Sequence, residues 1–599
     1  MSSMDNVTVY IDGVEVSVPG DYTVLKAARK AGVKIPTLCY LKDINQIGAC
    51  RVCLVEIERA RGLQASCVYP VSEGLRVLTH TQKVLSARKQ VVELLLSNHP
   101  QECLTCTRST NCELQSLARE LGVGEVPFVG EKKEYELDLS SASVVRDATK
   151  CILCRRCVAV CSEVQKVGVL GVINRGFEST VGPAFKHGLG DVNCTNCGQC
   201  INVCPVGALK EVDHTERVWA ALADPNKHVI VQTAPAVRAG LGEEFGLPMG
   251  TPVTGKMHAA LRRLGFDKVF DTNFSADLTI MEEGNEVIGR LTGGGKLPVI
   301  TSCSPGWIKF CEHTYPELLG NLSSAKSPQQ MFGALAKTYY PETAGLDPAS
   351  VYSVSVMPCT AKKYECQRPE MAHAGVPDVD AVLTTRELGA MIRQAGIDFV
   401  GLPDEEVDAP MGIGTGAADI FGVTGGVMEA AIRTVYEVVA GAPLPSLELE
   451  PVRGMEGVKE AALDVPNFGE VRVAVAHGLA NAARLMDAVK EGKKQYHFIE
   501  VMACPGGCVG GGGQPLVTSA QRIAMDEDYQ VVRRQALYAE DRGKALRKSH
   551  DNPAIKEVYE KYLNKPLSEK AHHLLHTHYV ERNKYNVEFP EPEKVGTAN

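Results

Sequence analysis

The chain has 599 residues, 44% of them hydrophobic, and a formal net charge of −9. One hydrophobic core rarely organises that length, so several domains are expected. The acidic balance excludes nonspecific nucleic-acid binding as the main role, and the short, interrupted apolar segments exclude membrane spans. The opening residues lack a basic region and an apolar core, so no secretory signal is read and a cytoplasmic location is expected.

Cysteine decides the class. Of 21 cysteines, 15 lie before residue 205, mostly in C-x2-C groups. Disulfide scaffolds belong mainly to small exported domains, so metal ligation is the better reading.

In chain order, "VTVYIDGVEVSVPGDYTVLKAARKAGVKIP" predicts a strand, an Asp12-Gly13 hairpin turn, a second strand and a helix from Thr23. Cys39, Cys50, Cys53 and Cys67 follow. They fit a loop-held [2Fe-2S] on a β-grasp ferredoxin-like domain, residues 1–80, with looser spacing than the plant type. Zinc is the alternative.

The run "VLSARKQVVELLL" predicts a helix, and "SNHPQECLTCTRSTNC" comes after it. Cys103, Cys106 and Cys112 supply three thiols, and His99 stands four residues before the first. Imidazole is a competent iron ligand, so residues 81–125 are read as a small helical domain holding a [4Fe-4S] with one histidine and three cysteines. The alternative is a surface histidine and a fourth ligand from elsewhere.

The strongest signal is doubled. Cys151, Cys154, Cys157 and Cys161 follow C-x2-C-x2-C-x3-C, and so do Cys194, Cys197, Cys200 and Cys204, with Pro205 next. Three closely spaced cysteines wrap one cubane, and the fourth reaches the other. One [4Fe-4S] is therefore assigned to Cys151, Cys154, Cys157 and Cys204. The other takes Cys194, Cys197, Cys200 and Cys161. Residues 140–212 form a bacterial two-cluster ferredoxin domain on this reading. Two zinc sites would not need the doubled run. Four clusters in about 200 residues suggest an electron wire.

From about residue 227, strands and helices alternate, which predicts parallel sheets with crossovers and ligands beyond the strands' carboxyl ends. Residues 225–525 are read as a two-lobed α/β domain. Cys303, Cys359, Cys504 and Cys508 all sit in strand-end loops. Converging there, they would hold one more iron–sulfur cluster. Cys311 and Cys366 read as unligated. Lys362 in "MPCTAKK" is either a surface lysine or the partner of an anionic ligand on the metal centre. Glu283 and Glu286 share a helix face, which suits an ordinary surface pair or a proton relay. "GIGTGAADIFGVTGG" lacks the spacing of a dinucleotide fingerprint. Residues 526–599 form a small helical C-terminal region and tail. His572, His573, His576 and His578 there read as surface or packing residues, and "YNVEFPEPEKVGTAN" reads as extended.

Three signatures closely resemble the [FeFe]-hydrogenase family: "TSCSPGW" (Thr301 to Trp307), "MPCTAKK" (Met357 to Lys363) and "EVMACPGGCVGGGGQP" (Glu500 to Pro515). The upstream array matches the family's large modular members, and it also resembles the cluster-bearing subunit of NADH dehydrogenases. The resemblance implies H2 ⇌ 2H+ + 2e− at a six-iron H-cluster, a [4Fe-4S] cubane joined to a diiron unit with CO, cyanide and a bridging azadithiolate. Cys508 matches the bridging cysteine, and Cys359 and Cys504 match cubane ligands. Lys362 matches the cyanide-binding lysine, and Met357 and Pro235 line the same pocket. Cys303, Glu283, Ser323 and Glu286 match the proton path, with Arg290 near its outer end.

One position departs from the pattern. The family motif is TSCCPxW, and Ser304 stands where the second cysteine ligates the cubane. Either Ser304 ligates, or Cys303 shifts into that role, or the centre is altered. The expected electron partners are a flavin-containing NAD(P)-reactive subunit with a small [2Fe-2S] subunit, in a complex with or without electron bifurcation, or a soluble ferredoxin acting on a single-chain enzyme. Maturation proteins would install the cofactor. A sensory iron–sulfur protein and a bare electron-transfer subunit are the competing classes.

Overall fold

The structure is a computed structural model that describes residues 5–373, 375–466 and 469–585; the extended reading of the last stretch lies beyond them, from residue 586 on. The N-terminal part is a five-stranded mixed sheet in the order Val14–Pro19, Asn6–Ile11, Leu75–Leu78, Leu54–Ile57, Gln64–Ala65. Asp12 and Gly13 both take positive φ at its first hairpin, the backbone that a tight two-residue turn between twisted strands requires. Thr23 caps the helix Val24–Lys30 by accepting the Lys26 N–H. Val24, Leu25, Ala27 and Ala28 of that helix are buried in one cluster with Val9, Ile11 and Val18 of the sheet.

The helix Gln82–Ser97, capped by Thr81, delivers the chain to His99. Beyond it the doubled cysteine run folds the same way twice. Leu153 and Arg155 in the first copy take positive φ, as do Asn196 and Gly198 in the second. A short helix then carries the third cysteine of each set, Arg156–Ala159 for Cys157 and Gln199–Val203 for Cys200. An antiparallel pair, Val144–Arg146 with Leu209–Glu211, closes the unit.

The rest contains two four-stranded sheets. The first is all parallel, in the order Lys268–Asp271, His228–Thr233, Val351–Met357, Ala381–Thr384. The second places Val299–Ile300, Phe498–Met502 and Gly469–His477 in parallel, with Val458–Val465 antiparallel at its edge. Strands covered on both faces read as unbroken apolar runs, and "FIEVM" is buried at every position. The 22-residue helix Thr272–Gly293 packs against the helices Pro328–Lys337 and Gly426–Ala440. Among the described residues no helix is long and apolar enough to cross a membrane.

Candidate metal centres and active site

The thiols of the first third lie in groups. Cys39 touches Cys50 and Cys67, and Cys53 touches Cys67, so these four share one pocket. Hydrogen bonds from Cys50 and Cys67 pull the Cys39 thiol down to about 2, and the same bonds push its two neighbours up. Burial pushes Cys151 up to about 11 and Cys154 to about 12, and the nearby Cys204 adds to both. Cys157 is raised well above the usual thiol range by burial, then by Cys154 and Cys204. Cys204 thus lies with the first trio. Cys194, Cys197 and Cys200 are all raised by burial, and each also feels Cys161. Each fourth cysteine thus lies within electrostatic reach of the trio of the other run.

All 21 cysteines are free thiols. Among the described residues no three His, Cys, Asp or Glu side chains close tightly enough to hold a lone ion. His99 is half-buried, its Nδ1 has no hydrogen-bond partner, and burial lowers its pKa, which favours the neutral imidazole that a metal takes. Cys112 lies within electrostatic reach of Cys106. His99 and Cys106 both approach Lys150, one through its backbone and one through its stem.

In the catalytic part, four strand ends from the two sheets meet at a cavity of about 80 Å³. Pro235 follows His228–Thr233, Cys303 and Ser304 follow Val299–Ile300, Cys359 and Lys362 follow Met357, and Cys504 and Cys508 follow Phe498–Met502. All of these residues, Met357 included, line the cavity. The glycines of the last loop are a packing requirement. At Gly507, with φ +94°, a Cβ would stand 2.7 Å from the Thr424 nitrogen, and at Gly511 it would collide with the Pro358 carbonyl. The loop is pinned from outside by His477, whose Nδ1 accepts the Gly506 N–H at 3.0 Å, and by the Thr424 N–H to the Gly506 carbonyl at 3.1 Å. Sequence reading passed over His477, because a lone histidine at a strand end carries no signal.

Burial raises Cys303 well above the usual thiol range, with Glu283 next among the causes, so the thiol keeps its proton. The Lys362 ammonium donates to Glu365 Oε2 at 2.9 Å and to the Cys303 carbonyl at 3.2 Å. Glu365 was not singled out from the sequence, although three residues on a helix put it beside the lysine. The Ser304 hydroxyl accepts the Ala503 N–H at 3.2 Å, next to Cys504. Cys311 and Cys366 point their thiols at carbonyls of Tyr315 and Lys363, away from the cavity.

Glu283, Glu286 and Arg290 follow one face of the helix Thr272–Gly293. Glu283 is 1% exposed, and neither carboxyl oxygen has a hydrogen-bond partner. Burial, then the charge of Glu286, pushes it up to about 8. The Ser323 hydroxyl lies beside Glu283 and donates to Glu286 Oε2 at 2.8 Å. Arg290 pairs with Glu286 and reaches the surface, its side chain 19% exposed. The row therefore runs from the cavity rim to solvent.

The C-terminal segment walls this row. The Thr577 N–H donates to the Ser324 carbonyl at 2.7 Å, and the Tyr579 hydroxyl to the Ser323 carbonyl at 2.9 Å. His576 is buried between the Ser324 hydroxyl (2.8 Å) and Glu282 Oε2 (3.0 Å). It packs, as expected, but its place beside the row was not legible from sequence.

The cluster sites are joined by hydrogen bonds that end on backbone carbonyls. Gln199 donates to the Gly510 carbonyl at 2.8 Å and Thr360 to the Asn196 carbonyl at 2.7 Å, which joins the second trio to the active-site loops. The Asn45 amide donates to the carbonyls of Cys39 (2.8 Å) and Cys154 (3.1 Å). The Glu113 N–H donates to the Pro205 carbonyl at 2.9 Å. Both peripheral sites therefore abut the Cys151 group.

Five family models match in succession. Residues 4–82 match a 2Fe-2S iron-sulfur cluster binding domain, 88–127 the NADH-ubiquinone oxidoreductase-G iron-sulfur binding region, and 141–210 the ferredoxin-like domain of NADH-quinone oxidoreductase subunit 3. Residues 227–512 match the iron only hydrogenase large subunit, C-terminal domain, and 527–582 the iron hydrogenase small subunit. The chain is 55% identical to the NADP-reducing hydrogenase subunit HndD of Solidesulfovibrio fructosivorans, over 97% of this chain and 100% of that one. It is 45% identical to iron hydrogenase 1 of Clostridium pasteurianum, over 96% and 99%. A solved apo [FeFe]-hydrogenase HydA1 variant from Chlamydomonas reinhardtii superposes with a TM-score of 0.56 at 45% identity, covering 62% of this chain and all of that one. Identity of this depth along the full length of two hydrogenases, through cluster-bearing and catalytic parts alike, means that the chain belongs to the [FeFe]-hydrogenase family.

Proposed function

We propose that the chain interconverts H2 with protons and electrons at a six-iron centre in the 80 Å³ cavity and passes electrons through one [2Fe-2S] and three [4Fe-4S] clusters. The observation that carries this is the convergence of Cys303, Cys359, Cys504 and Cys508 from three strand ends on one enclosed space, with an orphaned acid behind them. The donor set fits the group. Cys359, Cys504 and Cys508 are thiols in mutual electrostatic reach, Cys504 buried and the other two half-buried, and the glycine loop leaves room that side chains would fill. When bound, the centre supplies the site of H2 cleavage or formation and the first electron store.

The chain's own residues do the rest. Cys359, Cys504 and Cys508 hold the iron as thiolates, Lys362 presents a cation to the anionic ligands, and Met357 and Pro235 exclude water. Cys303 lies within electrostatic reach of Glu283, which supports it as the first proton carrier, with the Ser304 oxygen at the cubane position of the family motif. The Cys303 thiol exchanges a proton with Glu283, which is protonated near neutrality. The Ser323 hydroxyl relays it to Glu286, and Arg290 holds Glu286 at the exit. The Cys151 group is the fork, with the [2Fe-2S] site on one arm and the His99 site on the other. Two arms suit a flavin-bearing NAD(P) partner subunit and a small [2Fe-2S] subunit, or ferredoxin, and the HndD likeness favours the former.

The test is infrared spectroscopy of chain purified without oxygen and with maturation proteins present. CO and cyanide bands that shift between argon and H2 are expected. Filled accessory clusters with no such bands would instead make the protein a non-catalytic or sensory relative.

A further inference from the structure

Each cubane site of the wire keeps one buried cation beside it, and the three differ in how that charge is balanced. Arg156 stands between Cys154 and Cys157, 1% exposed. Its Nη1 and Nη2 donate to the two oxygens of Glu113 at 2.8 and 3.0 Å, so one carboxylate cancels it. Arg108 lies between Cys106 and Cys112, 7% exposed. Its Nε donates to the Asn111 carbonyl at 3.1 Å, its Nη1 has no partner, and it forms no ion pair among the described residues. The Arg108 stem and Cys106 Sγ crowd the same glycine, Gly207, at 3.5 and 3.0 Å from where its Cβ would stand.

Lys309 is on the helix Pro305–Thr314, whose start abuts the second trio: a Cβ on Gly306 would lie 3.8 Å from the Cys197 Cβ. One turn on, the Lys309 ammonium is buried over the Tyr364 ring at 4.3 Å. Glu312, the nearest acid on its own helix, is already committed to Arg368 (2.6 Å) and Arg582 (2.7 Å). The Lys309 ammonium lies within electrostatic reach of Cys194.

We propose that these charges grade the wire: Lys309 and Arg108 raise the reduction potentials of the clusters they face, and the Arg156–Glu113 pair leaves the cluster between them low. This rests on the ligand sets proposed above. A cluster that accepts an electron gains negative charge, and a buried cation without a counter-ion stabilises that form far more than it would in water. A cation already cancelled by a bidentate carboxylate adds little. Electrons leaving the active site would then rest on the Cys161, Cys194, Cys197, Cys200 cluster, cross a higher step at the fork, and rest again at the His99 site. The fork becomes the valve of the wire.

The test is anaerobic redox titration of the full, iron-loaded chain, followed by electron paramagnetic resonance of the accessory cubanes. Lys309→Met and Arg108→Met should each lower the midpoint of one cubane, Lys309→Arg and Arg108→Lys should restore it, and Glu113→Gln should raise the third. Unmoved midpoints in Lys309→Met at full iron content, or a Glu113→Gln midpoint that stays or falls, would overturn the proposal. If Lys309→Met loses iron, Lys309→Gln is read in its place. Iron content and the number of distinct cubane signals in the unaltered chain test the ligand sets separately, so the two failures cannot be confused.

Discussion

Replacing Glu283 by Gln keeps the size of the buried carboxyl and removes its transferable proton. In the native chain burial and Glu286 push Glu283 from 4.5 up to about 8. At about 1.4 kcal/mol per unit, that separates the protonated and ionised forms by roughly 5 kcal/mol inside the fold. The folded pKa is raised, so the associated stability is fully present below pH 4.5 and lost as the pH rises through 8. About 1.4 kcal/mol of that loss falls between pH 7 and 9, and the Gln variant has none of it. Native-state hydrogen exchange of the helix Thr272–Gly293 should show its amides opening roughly tenfold more readily at pH 9 than at pH 7 in the native chain, after correction for intrinsic exchange. The variant should stay level. Its infrared bands should be unchanged while turnover falls by about 10² to 10⁴, the usual weight of a lost proton carrier. Parallel pH responses in the two proteins, or turnover within a few-fold of native, would refute both the raised pKa and the relay.

Four further outcomes follow from the same geometry. Cys204→Ser should disturb the cluster of the Cys151 trio and spare that of the Cys194 trio; the reverse would sink the crossed assignment, and magnetic resonance of the reduced protein decides. His99→Ala should lower iron by about four atoms per chain or leave an altered cubane signal, whereas a mere surface histidine would change neither. Ser304→Ala removes the acceptor of the Ala503 N–H and should alter the Mössbauer spectrum of the cubane, while Ser304→Cys should give it four thiolates. Lys362→Met strands the buried Glu365 carboxylate, at a cost of about 3–5 kcal/mol in the apo-protein, and Lys362→Met with Glu365→Gln should recover most of the melting temperature.

The sequence was most legible where spacing itself is the chemistry. The doubled C-x2-C-x2-C-x3-C run could be read as two repeated turns because three-residue steps leave the backbone few ways to fold, and both copies do fold alike. The thiols of the catalytic part were legible as strand-end residues, since each follows an apolar run. Their convergence needed two separate sheets to face each other, and no local pattern encodes that. Glu283 and Glu286 show the boundary well. Their three-residue spacing says that they share a face, but only the packed helices around them make one an orphaned acid and the other a partner of Ser323. His477, Glu365 and Tyr579 escaped for the same reason. Each acts through a residue far along the chain, on a group whose need for support appears only once the fold has closed.

The wall of the proton row also sets a timetable. Ribosomes release a chain from its N-terminus, so the cysteines from Cys39 to Cys204 emerge first and can collect their clusters while the rest is still being made. The active-site thiols are complete at Cys508, yet Thr577 and Tyr579, which close over Ser323 and Ser324, arrive 71 residues later. At about 5–20 residues per second that interval is roughly 4–14 s. During it the Glu283–Glu286 row lies open along its length, while the thiols of the pocket are already complete. The segment around Thr577 and Tyr579 is therefore made after every thiol of the pocket, and it is the segment that encloses the Glu283–Glu286 row.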